Sequence, residues 1–191
     1  MIDKQSTIGA AFALLPLLVA VFLLTGQPVR ADQNEPGLNA LFEQLQTATR
    51  QSTESIKKKI RADWNKHPDA EITRLISEGE SSIGAREYGR AMEIYTRITE
   101  KAPEFAEGWN KLATVSFLVR DHAHSVLYIQ KTLALEPRHF GALSGMGLIF
   151  LEKGDFNAAQ TAFQEVLKIS PESGSARYYS DQLLEYLGKQ I

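Results

Sequence analysis

Apolar residues fall at helical spacing in a succession of short stripes along most of this chain. Leu38, Leu41, Phe42 and Leu45 stand at i, i+3, i+4 and i+7, which places them on one face of an α-helix. Ile56, Ile60 and Trp64 make a second stripe, and Ser52-Thr53 ahead of it are residue types that start helices. The stretch from Thr47 to Ser55 is too polar to be buried. The segment 32–67 therefore predicts either a helical hairpin or one long, bent helix ending before Pro68. Beyond residue 72 the stripes begin to repeat. Pro103, Pro137 and Pro171 recur every 34 residues, and the windows 72–105, 106–139 and 140–173 align under one another. Gly79, Ala113 and Gly147 share one column, Ala91, Ser125 and Ala159 a second, and Tyr95, Ile129 and Phe163 a third. A fixed period of this length is the mark of a solenoid, in which each unit buries its apolar face only against its neighbours.

Each unit predicts two antiparallel helices. In the third, Leu143, Met146, Gly147 and Phe150 form one stripe and Phe156, Ala159, Phe163 and Val166 the other. Gly154-Asp155 between them breaks the first helix and caps the second. The register places the corresponding turns near Arg86 and Arg120. Each proline lacks an N–H and biases its predecessor away from helix, so it closes its unit. Residues 174–191 predict one further helix, with Tyr178, Leu183, Leu184 and Leu187 inward and Arg177, Asp181, Glu185 and Lys189 in water. The fold class expected is all-α.

The columns resemble the tetratricopeptide repeat (TPR) family, whose pattern sets Trp, Leu-Gly, Tyr, Ala, Phe and a closing Pro at these offsets. In the middle unit Trp109, Leu112, Ala113, Ser116, Ser125, Ile129 and Pro137 hold those places. The third unit gives Leu143, Met146, Gly147, Phe150, Ala159, Phe163 and Pro171. The first gives Leu75, Glu78, Gly79, Ser82, Ala91, Tyr95 and Pro103, with Glu78 in a column that is usually apolar. The resemblance implies a helical-hairpin solenoid of three repeats, a C-terminal capping helix at 174–191 and an N-terminal helical segment. It also implies a non-enzymatic scaffold that holds a protein or peptide on a concave face lined by the first helix of each repeat. Carrying the family's groove columns over places Ile76, Glu80 and Ile83, then Asn110, Thr114 and Phe117, then Ser144, Leu148 and Leu151 on that face. Tyr178 and Gln182 extend it on the last helix. A rival arrangement fills the groove from within, using Leu38, Phe42, Ile56 or Trp64. Members of the family that clamp the acidic C-terminus of chaperones use Lys and Asn on this face. Here those columns hold Ile76, Asn110 and Ser144, then Glu80, Thr114 and Leu148, so only Asn110 fits.

Composition narrows the picture further. A net charge of −2 over 191 residues argues against general affinity for nucleic acid or anionic lipid. No cysteine is present, which excludes disulfides, thiolate metal sites and a cysteine nucleophile. His122 and His124 point to different sides of a helix and lack a third ligand, so no metal site is expected. Ser144-Gly145-Met146-Gly147 falls inside a predicted helix, which is the wrong context for a phosphate loop. Arg138-His139-Phe140 reads as a turn whose part is to cap carbonyls, Lys57-Lys58-Lys59 as a wet helix face, and Glu78 as a partner for a nearby base. No cofactor is expected. At the N-terminus, the apolar run Ile8–Leu24 precedes Val29-Arg30-Ala31, the layout of a secretory signal cleaved after Ala31 or of an uncleaved membrane anchor. Either places the repeats outside the cytoplasm, in a bacterial periplasm. Membrane contact is expected only through this segment, and the resemblance then implies work in envelope assembly, secretion or maturation. The second functional reading is an accessory subunit that carries a small ligand or substrate for an envelope enzyme.

Overall fold

A computed structural model describes residues 36–189, and the apolar run with its expected cleavage point lies outside them. Among the described residues the regular structure consists of nine α-helices: α1 (Pro36–Gln46), α2 (Arg50–Trp64), α3 (Ala70–Gly84), α4 (Tyr88–Lys101), α5 (Ala106–Leu118), α6 (His122–Leu135), α7 (Phe140–Glu152), α8 (Phe156–Ile169) and α9 (Gly174–Gly188). None of these is long and apolar enough to cross a membrane. From α3 onward each helix packs on the next, and α3/α4, α5/α6 and α7/α8 form the three helix pairs of the repeat windows.

The turns within the pairs share one geometry. Arg86, Arg120 and Gly154 take positive φ values of 61°, 67° and 73°. Arg86 N–H bonds the Ile83 carbonyl at 2.9 Å and Glu87 N–H the Ser82 carbonyl at 2.8 Å, and the other two turns repeat this pair of bonds. That is the Schellman ending, which satisfies carbonyls a helix would otherwise leave bare. The residues before the prolines also match: Ala102, Glu136 and Ser170 are extended, with φ of −134°, −131° and −136°. Proline at the next position disfavours helix there, so each unit stops at the same place.

The small column and the bulky column are two halves of one contact. A Cβ on Gly79 would meet the Tyr95 ring at 2.5 Å, and one on Gly147 would meet the Phe163 ring at 2.8 Å. The middle unit has Ile129 instead of a ring and tolerates Ala113 opposite it. Ser125 in the second column donates to the Ala113 carbonyl at 2.8 Å, tying α6 to α5. Tyr95, Ile129 and Phe163 are all at most 2% exposed.

The N-terminal segment is a hairpin rather than one bent helix. Thr49 and Ser52 form a reciprocal cap, with Ser52 N–H on Thr49 Oγ1 at 3.4 Å and Thr49 N–H on Ser52 Oγ at 3.1 Å. The polar connection is not wholly wet, because Thr53 is buried and donates to the Thr49 carbonyl at 2.9 Å. Lys57 also departs from the wet face expected for the lysine run. It is buried, 2.9 Å from Glu54, and donates to Ser173 Oγ at 3.2 Å, whereas Lys58 and Lys59 are exposed.

The hairpin docks on the edge where successive repeats join. Gln46 Nε2 donates to the Lys168 and Ile169 carbonyls at 2.7 and 3.0 Å, at the end of α8. Arg138 Nη1 donates to Asn39 Oδ1 at 2.9 Å while its guanidinium lies 4.1 Å from the centre of the Phe42 ring. Along α2 and just beyond it, Lys57 meets Ser173, Trp64 stacks on His139 with ring centres 4.0 Å apart, and His67 meets Phe105 edge-on at 5.0 Å. Those three partners are the N-cap residues of α9, α7 and α5. Leu38, Phe42, Leu45, Ile60 and Trp64 share one core with Phe140, Phe163 and Val166. The hairpin thus lies across the N-cap edge instead of along the groove.

The last helix turns a different face inward from the one its large apolar residues predict. Ala176, Ser180 and Leu183 are buried, whereas Tyr178 and Leu184 are 62% and 54% exposed. Ser180 accepts a bond from Gln160 Nε2 at 3.0 Å, which gives its buried hydroxyl a partner.

Candidate functional site

The predicted groove residues lie on the first helices α3, α5 and α7 and on α9. Glu80, Thr114, Tyr178 and Gln182 are exposed there, and Ile83, Asn110, Phe117, Ser144, Leu148 and Leu151 are half-buried. Ile76 is a departure, at 3% exposure, because the core built by Ile72, Leu75, Ile94 and Leu112 closes around it. Phe117 packs on the core of Ala113, Ile129 and Ile149 and stacks on His122 at 5.6 Å, so much of its surface serves the fold.

A chain of ionisable side chains runs from this face to the docked hairpin. Lys111 Nζ lies 2.6 Å from Glu80 on α3 and 3.2 Å from Glu107 on its own helix. Glu107 is 5% exposed and accepts from Asn110 Nδ2 at 3.2 Å and from His139 at 2.9 Å. His139 is itself the N-cap of α7: its Nδ1 accepts the Ala142 N–H at 3.0 Å. An accepting Nδ1 carries no proton, so the proton sits on Nε2 and is donated to Glu107. Burial pushes the Glu107 carboxyl up, but the His139 bond and the Lys111 charge outweigh it and hold the group below the ordinary carboxylate range. Lys111 loses charge stability through burial, yet Glu107 and Glu80 more than restore it and raise its ammonium. The Tyr95 hydroxyl is pushed up by burial first and by Glu80 and Glu107 next.

These residues were not legible as a set. Arg138-His139-Phe140 reads in sequence as a carbonyl-capping turn, yet His139 joins the groove network to Trp64, and it caps an N–H of the next helix rather than carbonyls of the last. The carboxylate in an apolar setting is Glu107, not Glu78, which is 40% exposed and paired with Arg74. The available signal was His139 standing in one 34-residue column with Phe105 and Ser173. His122 and His124 face separate partners, Glu152 at 2.9 Å and Asp121 at 2.7 Å, and the described residues contain no cluster able to hold a metal.

No family model matches the chain. It is 32% identical over 151 residues to a TPR repeat-containing protein of Rhizobium etli, spanning 78% of this chain and 74% of that protein. It is 25% identical over 128 residues to the heat-shock protein cognate co-chaperone sgt12 of Aspergillus fumigatus, but spans only 36% of it. Among solved structures it resembles the Sgt2 TPR domain from Aspergillus fumigatus, with a TM-score of 0.58 at 19% identity, covering 64% of this chain and 83% of that one. The first TPR of Spaghetti (RPAP3), bound to the HSP90 peptide SRMEEVD, gives a TM-score of 0.57 at 18% identity over 60% of this chain and 90% of that one. A helical solenoid of paired helices and this relationship define its class. The chain belongs to the tetratricopeptide repeat family.

Proposed function

We propose that this protein is a non-enzymatic interaction scaffold that holds a segment of another protein across the faces of α3, α5, α7 and α9. The observation that carries the reading is that the hairpin docks on the N-cap edge and leaves Glu80, Thr114, Tyr178 and Gln182 exposed along one side. Structural neighbours bound to HSP90 and HSP70 peptides support segment recognition as the mode. The layout of residues 1–31 supports a place in the cell envelope, with service in assembly, secretion or maturation. Site-specific photo-crosslinking in the source cell tests the scaffold. A crosslinker at Thr114 or Tyr178 should give a protein adduct, and one at Gln130 on α6 should not. Adducts confined to α6 would refute the groove. Mass spectrometry of protein recovered from the envelope should find Asp32 at the mature N-terminus, and a cytosolic chain beginning at Met1 would refute the location.

A further inference from the structure

We infer that the groove selects an extended segment in which a Lys or Arg precedes or follows a pair of apolar side chains by about five or six residues. This rests on the scaffold reading and adds the chemistry of the partner. The predicted groove positions of the four first helices hold no Lys or Arg; Lys111, beside Asn110, is already shared by Glu80 at 2.6 Å and Glu107 at 3.2 Å. Glu80 and Glu107 thus set two carboxylates against the one Lys111 ammonium, and Glu80 is the outward one, with a side chain 45% exposed. An incoming carboxylate would find no free cation there, whereas an ammonium or guanidinium would complete the cluster. The other end of the face is uncharged and apolar, with Leu148 and Leu151 on α7 and the largely exposed Tyr178 ring on α9. Packed helix axes are about 8–10 Å apart, so two steps from α3 to α7 span about 16–20 Å. An extended chain advances about 3.3–3.6 Å per residue, which sets the spacing at five to six residues. This is the opposite charge preference from that of a site for an acidic tail such as SRMEEVD.

The test is selection of a displayed library of random dodecapeptides on the full chain, followed by binding of recovered peptides to the parent and to Glu80→Gln, Glu80→Lys and Leu148→Asp. Recovered sequences should carry Lys or Arg at the stated distance from an apolar pair. Glu80→Gln should weaken them about tenfold, the size expected of a charge-assisted bond. Glu80→Lys should weaken them further, and added salt should do the same. Circular dichroism confirms that each variant is folded. Recovery of acidic sequences, or of basic ones indifferent to Glu80→Gln, overturns the inference. Recovery of uncharged apolar sequences that fail only on Leu148→Asp overturns the charge preference and keeps the scaffold. If no sequence is recovered, the inference falls; an absence of groove crosslinks in the cell would remove the scaffold as well.

Discussion

Gly147→Ala and Gly145→Ala are the same chemical change two residues apart in α7, and they should move stability in opposite directions. In both, alanine removes backbone freedom from the unfolded chain and improves helix propensity by about 1 kcal/mol. At Gly145 the new methyl meets only Ile129 Cδ1 at 3.5 Å, an ordinary contact, so the gain stands. At Gly147 it meets three atoms of the Phe163 ring at 2.8, 2.9 and 3.0 Å. That ring is 1% exposed and stacked on Tyr179 with centres 4.8 Å apart, so it has no free direction in which to withdraw. Overpacking costs about 1–3 kcal/mol, and an enclosed ring puts this contact in the upper part of that range, so a net loss of about 1–2 kcal/mol remains after the propensity gain. At about 2–4 °C per kcal/mol for a chain of this size, Gly145→Ala should raise Tm by about 2–4 °C. Gly147→Ala should lower it by about 2–8 °C on the same scale. Thermal melts and urea titrations followed by circular dichroism read both, with the m value checking that cooperativity is unchanged. The middle repeat supplies the rescue: it pairs Ala113 with Ile129, so Gly147→Ala should be far better tolerated beside Phe163→Ile. The reasoning fails if both alanines stabilise, or if the double-mutant cycle is additive within about 0.5 kcal/mol.

Glu107→Ala should destabilise the fold by about 3 kcal/mol, because it strands the buried His139 donor and half of the Lys111 pairing; chemical denaturation measures it. The folded Glu107 carboxyl titrates below its unfolded value. Its contribution is therefore complete above about pH 4.3, and it is lost as the pH falls through the lower folded value. Glu107→Gln should accordingly flatten the acid limb of the stability profile, and an unchanged limb would contradict the pairing. Trp64→Ala should cost about 3–5 kcal/mol by removing a ring that is 3% exposed, and deleting 32–66 should bare the Phe140 side of the core and cause aggregation seen by light scattering. Arg86→Gly should stabilise by about 1 kcal/mol, since glycine adopts the left-handed turn without the Cβ penalty, and a lowered Tm would refute the turn assignment.

What the sequence reveals here follows from how far apart the interacting residues lie. The helix pairs were legible because their contacts repeat at one offset, and Arg86 and Arg120 were recognisable as turns only through their register with Gly154. The inward face of α9 was obscured because Ala176 and Ser180 fill it, a small residue and a polar one that carry no hydrophobic signal. Glu107 sits in the first turn of α5, where an acid is ordinarily a favourable surface charge near the helix N-terminus. Nothing local distinguishes it from such a residue; its partner His139 is 32 positions away. The choice between hairpin and bent helix turned on Thr49, three residues before the expected start, and the docking edge depended on contacts reaching as far as 123 residues along the chain.

Those long contacts give the chain an order of events during synthesis. The hairpin emerges first, but the α8 carbonyls that receive Gln46 stand 122 residues later. At about 5–20 residues per second, Gln46 waits on the order of 6–24 s for those carbonyls, and Trp64 about 4–15 s for His139. A repeat array built only from neighbour contacts could consolidate unit by unit from its N-terminal end. Here the first segment made is among the last that can settle. During that interval its apolar face is open to any chaperone, translocation factor or second nascent chain that reaches it first.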